Sequence, residues 1–147
     1  DKYFKQGQSF LDIGSGSGIL SLLAAKLEGG KIVAVDIDPQ AGEELRRNLS
    51  LNEIELSRVD FREGEIAQIE EQFDFIVCNI GTDFHLLHLK TMNNLLNEEG
   101  ILVLSGIEEK DFFLLQEKAA TLGLEEKEVR VDSFWVSVAY KKEKNVL

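Results

Sequence analysis

LDIGSGSGIL, residues 11–20, is the stretch on which the reading of the whole chain turns. A short apolar run, Phe10–Ile13, enters it as a strand and gives way at once to glycines at positions 14, 16 and 18. Three glycines within five residues let the backbone turn sharply and let a ligand approach it closely. From Ser17 to Glu28 the apolar residues Ile19, Leu20, Leu22, Leu23, Ala24 and Leu27 lie almost all round a helix, which Gly29-Gly30 closes. Strand, glycine turn and helix in that order form the opening unit of an α/β fold with a parallel sheet.

The rest of the chain repeats the unit. Lys31–Ile37 (KIVAVDI) is a β-branched run suited to a strand buried on both faces. Asp38-Pro39 reads as a helix N-cap followed by a first-turn proline, and Ala41, Leu45 and Leu49 continue at helical spacing. A weaker strand is expected over Glu55–Arg62, a short helical turn over Ile66–Glu71, and a buried strand over Phe73–Ile80. A helix over Asp83–Asn97, a strand over Gly100–Gly106 and a helix over Glu108–Leu122 follow. Glu125–Val131 and Ser133–Lys141 are joined by a link too short for a helical crossover, so they pair antiparallel. The expected fold is a Rossmann-like, doubly wound α/β domain over residues 1–147, with a mostly parallel seven-stranded sheet and a C-terminal antiparallel hairpin.

Composition bounds the function. With 147 residues the chain has the size of one domain with a full core. One cysteine excludes a disulfide framework and a cysteine-rich zinc site. No apolar run approaches the ~20 residues of a membrane helix, and DKYFKQGQ at the start does not read as a signal peptide, so the expected compartment is the cytoplasm. The net charge of −11 argues against direct binding of a phosphate backbone and suits a cationic ligand or a basic protein partner better.

Ligands of such sheets bind beyond the carboxyl ends of the strands. The dinucleotide fingerprint would put its third glycine where Ile19 stands, and Asp12 precedes the first glycine by two residues. A pyrophosphate here would meet a like charge, whereas a cationic group would be stabilised. No Gly-Lys-Ser/Thr follows, which excludes a Walker loop. Asp36 ends the second strand, and an acid there accepts hydrogen bonds from ribose hydroxyls; the helix-capping role belongs to Asp38. A ligand with a ribose, a positive end and no phosphate is implied, and S-adenosylmethionine has that description.

On LDIGSGSGIL, VDIDP (residues 35–39), FDFIVCNI (residues 73–80) and the order of elements, the chain resembles the class I S-adenosylmethionine-dependent methyltransferases. Within them it is most similar to the catalytic domain of ribosomal protein L11 methyltransferases, through LDIGSGSGILSLLAAKL, VDIDP, Asn79-Ile80, ILVLSGI (residues 101–107) and FWVSVAYKK (residues 134–142). That family also carries an N-terminal substrate-recognition domain and a glycine-, histidine- and threonine-containing cofactor segment ahead of the first strand, neither of which lies within these residues. The resemblance implies that Asp12, Gly14, Ser15, Gly16 and Gly18 hold the methionine end of the cofactor and that Asp36 binds its ribose. Ile37 would pack on the adenine, with Glu65 and Ile66 lining that pocket. Asn79 would stand at the transfer site as the catalytic residue and a further cofactor contact.

The implied reaction is methylation of amino groups of a protein, a basic ribosomal protein among the candidates. A small-molecule methyltransferase and a cofactor-binding module without catalysis are the alternatives. Methyl transfer needs the nucleophile held in line with the sulfonium, and neither a triad nor a metal. Asp83, His85 and His88 cluster at a helix start, where capping and solvated positions are expected, with one histidine available to line the substrate opening. Cys78 reads as an inert core residue, and Trp135 as packed in the core or at its rim.

Overall fold

The computed structural model describes residues 2–145. Its strands are β1 (Phe10–Ile13), β2 (Ile32–Asp36), β3 (Asp60–Glu63), β4 (Phe73–Asn79), β5 (Leu96–Glu108), β6 (Leu124–Asp132) and β7 (Trp135–Lys142). The helices are α1 (Ile19–Lys26), α2 (Pro39–Leu51), α3 (Thr82–Leu95) and α4 (Phe112–Thr121). The seven strands form one sheet in the order β3-β2-β1-β4-β5-β7-β6. All pairs from β3 to β5 are parallel, and β7 is antiparallel to both β5 and β6. The expected doubly wound sheet with a closing hairpin is therefore the observed one, and its strand order reverses between β1 and β4.

Alternation along the strands divides the core in two, because successive side chains point to opposite faces. Leu11, Ile13, Val33, Val35, Ile76 and Cys78 join the cluster that holds Leu89, Met92 and Leu115 of α3 and α4. Phe10, Ile32, Ala34, Phe75 and Val77 join the one that holds Leu22 of α1 with Leu45 and Leu49 of α2. Leu45 and Leu49 are fully buried, and burial of such a side chain contributes about 1.5–3 kcal/mol. Asp38 caps α2 as expected, its side chain accepting from the Gln40 N–H at 2.9 Å.

Four elements differ from the sequence reading. The strand expected over Glu55–Arg62 is a 3-10 turn at Leu56–Arg58 followed by a four-residue β3. The turn prevails because Arg58 donates to the carbonyls of Gly29 (2.6 Å) and Gly30 (3.4 Å), tying this edge to the end of α1. The helix expected from Glu108 begins with a 3-10 turn at Glu109–Asp111, and α4 starts only at Phe112. β5 is longer than Gly100–Gly106, since Leu96 already pairs with Phe73 and the strand continues past Gly106 through a bulge. The left-handed residue that ends α1 is Glu28 (φ 58°), with the Gly29 N–H reaching back to the Ala24 carbonyl at 2.9 Å. Gly30 is needed for a different reason: a Cβ there would stand 2.5 Å from the Gly7 carbonyl oxygen.

Candidate active site

A cavity of about 530 Å³ opens at the carboxyl ends of β1, β2 and β4, where the strand order reverses. Its walls include Gly14, Asp36, Ile37, Glu65, Ile66 and Asn79, brought together from four loops, with Ile80, Phe84 and His88 closing the side toward α3.

The glycine loop is built from the sheet upward. The N–H groups of Gly14 and Ser15 both donate to the Val35 carbonyl, at 2.8 and 3.2 Å, so the loop starts as an extension of the β1–β2 ladder. Gly18 has φ +80°, and a Cβ there would fall 2.1 Å from the Leu45 side chain; glycine is what lets α1 dock on α2. A Cβ at Gly14 would stand 2.7 Å from Ile80 Cδ1 across the cavity, while Gly16, at φ +52°, faces open space. Ser15 is buried, and its Oγ has no hydrogen-bond partner.

Asp36 is held by two backbone donors. Gly16 N–H and Asp38 N–H donate to its two carboxylate oxygens, each at 2.9 Å. These bonds fix the carboxylate between the glycine loop and the start of α2, and each oxygen retains a lone pair to accept from a ligand. The Gly64 N–H in turn donates to the Asp36 carbonyl at 2.9 Å, which brings the next loop alongside. There Glu65 N–H donates to Gln68 Oε1 at 2.7 Å, and Gly64, at φ +144°, leaves the room that this side chain occupies. Ile66 is buried in the floor, whereas Ile37 at the rim is 73% exposed, an uncovered apolar side chain facing the cavity.

Asp12, expected at the methionine end of a ligand, lies beneath the glycine loop. Only 2% of it is exposed, and it is not on the cavity wall. In the alternation of β1 it lies opposite to Leu11 and Ile13, on the α1 side, where Ser21 Oγ donates to its carboxylate at 2.8 Å. Burial raises its pKa to about 6, with the Ser21 hydrogen bond opposing and the Asp36 charge adding to the rise. Asp12 thus supports the loop from beneath, and the carboxylate on the cavity wall beside the loop is that of Asp36.

Asn79 is exposed at the end of β4, paired with Ser105 of β5. His88 and Phe84 form a tilted ring pair at 4.3 Å on the cavity wall. The sequence offers His88 only as one of two histidines near the opening and gives no sign of Phe84 beyond its i, i+4 spacing from His88 on α3. His85 departs from the expectation of a capping or solvated position, since it is fully buried. The N-cap of α3 is Gly81, without a side-chain cap. Trp135 is 56% exposed rather than packed, because it lies opposite in alternation to the buried Val136 and Val138. Cys78 is buried as expected. Among the described residues, no group of three or more His, Cys, Asp or Glu is arranged to hold a metal, and no helix is long and apolar enough to cross a membrane.

Known proteins resemble this chain in sequence and in fold. The family model described as ribosomal protein L11 methyltransferase (PrmA) matches residues 1–143. A ribosomal protein L11 methyltransferase of Thermotoga neapolitana is 33% identical over 141 residues, covering 96% of this chain and 53% of the relative. One from Campylobacter concisus is 39% identical over 140 residues, covering 95% of this chain and 49% of the relative. The chain thus spans about half the length of these curated relatives. Among solved structures, a ribosomal protein L11 methylase of Lactobacillus delbrueckii superposes with a TM-score of 0.91 at 24% identity, covering 97% of this chain and 74% of that one. A methyltransferase of Pyrococcus furiosus superposes with a TM-score of 0.81 at 24% identity, covering 97% and 79% respectively. These two likenesses establish the fold.

Proposed function

The chain belongs to the ribosomal protein L11 methyltransferase family, and on that premise we propose that it binds S-adenosylmethionine in the cavity at the β1–β4 reversal and transfers its methyl group to amino groups of a protein. The acceptor in this reading is ribosomal protein L11 or a similarly basic protein, which suits a chain of net charge −11. The observation that carries the proposal is one cavity with the Asp36 carboxylate and the Asn79 carboxamide both on its wall.

The residues fit such a cofactor. Asp36 has lone pairs free for two ribose hydroxyls, and the exposed Ile37 and buried Ile66 offer apolar surface to an adenine, with Glu65 at its edge. Phe84 and His88 add an aromatic wall. Gly14, Ser15, Gly16 and Gly18 would hold the methionine end, where Ser15 Oγ is a buried group in want of a partner. Asp12 sets the loop from below through Ser21. When bound, S-adenosylmethionine supplies a methyl group on a sulfonium that is already a good leaving group. What remains for the protein is position. Asn79 Oδ1 accepts an N–H of the neutral amine and turns its lone pair toward the methyl carbon, which converts binding into near-attack geometry.

Titration with S-adenosylhomocysteine, together with tritiated methyl transfer to purified L11, tests this. Asp36→Ala is expected to weaken cofactor binding by about 1.5–3 kcal/mol through loss of charged hydrogen bonds. Asn79→Ala is expected to lower turnover much more than cofactor affinity. Tight cofactor binding without methyl transfer would favour a non-catalytic module, and transfer only to free amines would favour a small-molecule enzyme. Binding of NAD in place of S-adenosylhomocysteine would overturn the reading altogether.

A further inference from the structure

His85 is a buried polar residue that the methyl-transfer reading leaves unused. Its ring is fully buried, with Nε2 2.7 Å from the Ser105 carbonyl oxygen and Nδ1 without a partner. A carbonyl only accepts, so Nε2 carries the proton and Nδ1 is bare. Burial lowers the pKa of His85, which keeps the ring neutral.

Ser105 is the residue opposite Asn79 in the β4–β5 ladder. It also begins an irregularity. Between the pairs Leu104↔Val138 and Ile107↔Val136, β5 has one residue more than β7, and Gly106 takes φ +75°. A bulge of this kind takes a residue out of the ladder and re-aims its neighbours. The first turn of α3 secures both flanks: His85 Nε2–H donates to the Ser105 carbonyl, and the Glu108 N–H donates to Thr82 Oγ1 at 2.8 Å. Gly106 lies between those two anchors. A Cβ there would stand 3.0 Å from Asn79 Oδ1, so the bulged backbone is the surface against which the Asn79 carboxamide rests.

We propose that His85 is a positioning residue: by donating from Nε2 to the Ser105 carbonyl it holds the β5 bulge in the setting that orients the Asn79 carboxamide. Its kinetic consequence rests on the methyltransferase reading, while the mechanical coupling from His85 to Asn79 is independent of it. His85→Gln keeps an N–H of comparable reach, whereas His85→Leu removes the donor and leaves the site apolar.

The side-chain amide resonance of Asn79 in a ¹⁵N–¹H spectrum, assigned by its loss in Asn79→Asp, reads the coupling directly. It is expected to shift in His85→Leu and to return toward the wild-type position in His85→Gln. Methyl transfer by His85→Leu is expected to fall about tenfold to a hundredfold, as for a misplaced positioning group, with affinity for S-adenosylhomocysteine nearly unchanged and turnover partly restored in His85→Gln. Should His85→Leu fail to fold, His85→Asn, whose amide is too short to reach Ser105, takes its place with the same expectation. An unmoved Asn79 resonance, or equal departure of the Gln and donor-lacking variants from wild type, overturns the proposal. Should the wild type move no methyl while the resonance pattern holds, the methyltransferase reading fails and the positioning role stands.

Discussion

Two carboxylates within the first half of the chain show how one residue type is put to different work. Asp36 faces the cavity with two backbone donors on it, whereas Asp12 is sealed on the α1 side with a single hydroxyl. The raised pKa of Asp12 means that the folded protein holds a proton where the unfolded chain, at about 3.8, has lost it. Its contribution to stability is therefore fully present below about pH 4 and is lost as pH rises through about 6. Asp12→Asn, which still accepts from Ser21, is expected to stabilise the cofactor-free protein, with a gain larger by about 1 kcal/mol or more at pH 8 than at pH 5. Urea denaturation at the two pH values checks this, and a gain independent of pH would refute the assignment. The sequence revealed that an acid precedes the glycines but not which way it points. With only Phe10–Ile13 in β1, a one-residue difference in strand phase decides which side of the sheet Asp12 takes.

At the scale of elements, the glycine loop is a set of separate constraints. Gly18 is required by the contact between α1 and α2, Gly14 by its left-handed backbone (φ +68°) beside the Ile80 side chain, and Gly16 by its backbone conformation alone. Gly18→Ala is expected to destabilise the fold by about 2–4 kcal/mol, from overpacking against Leu45 and a left-handed alanine together. Gly16→Ala, with open space around it, is expected to cost about 1 kcal/mol. Chemical denaturation of the two variants separates them, and equal costs would contradict the geometry. β1, β2 and β4 were legible because each is a mostly apolar run with a sharp end, such as FDFIVCN before Ile80. The Leu56–Arg58 turn was not, since what selects it is a distant pair of carbonyls on Gly29 and Gly30. Nor was the β5 bulge, which exists only in relation to its partner strand β7. Phe84 escaped for a similar reason, and His88 was foreseen only as one of two histidines near the opening: their spacing defines a helix face, but not what that face looks onto.

Taken whole, the sheet is what gathers the site. Gly14, Asp36, Glu65 and Asn79 are far apart in sequence and meet because β1, β2, β3 and β4 all end on one edge. That convergence was foreseeable from the repeated strand–helix order, while the fine positions of side chains depend on contacts between layers. Cys78 sits near the middle of this arrangement, in β4 between β1 and β5, and it is the chain's one cysteine. Burial, with the nearby Asp12 charge adding to it, pushes its thiol up to about 12. A thiol so placed is invisible to alkylating reagents for as long as the central strands stay closed. Labelling by a disulfide dye is accordingly expected to be slow in native buffer and to accelerate with urea in step with loss of the fold; rapid labelling without denaturant would refute it. Nature has in effect left a single clock at the centre of the protein, and each tick that a reagent records is one moment when the strands came apart.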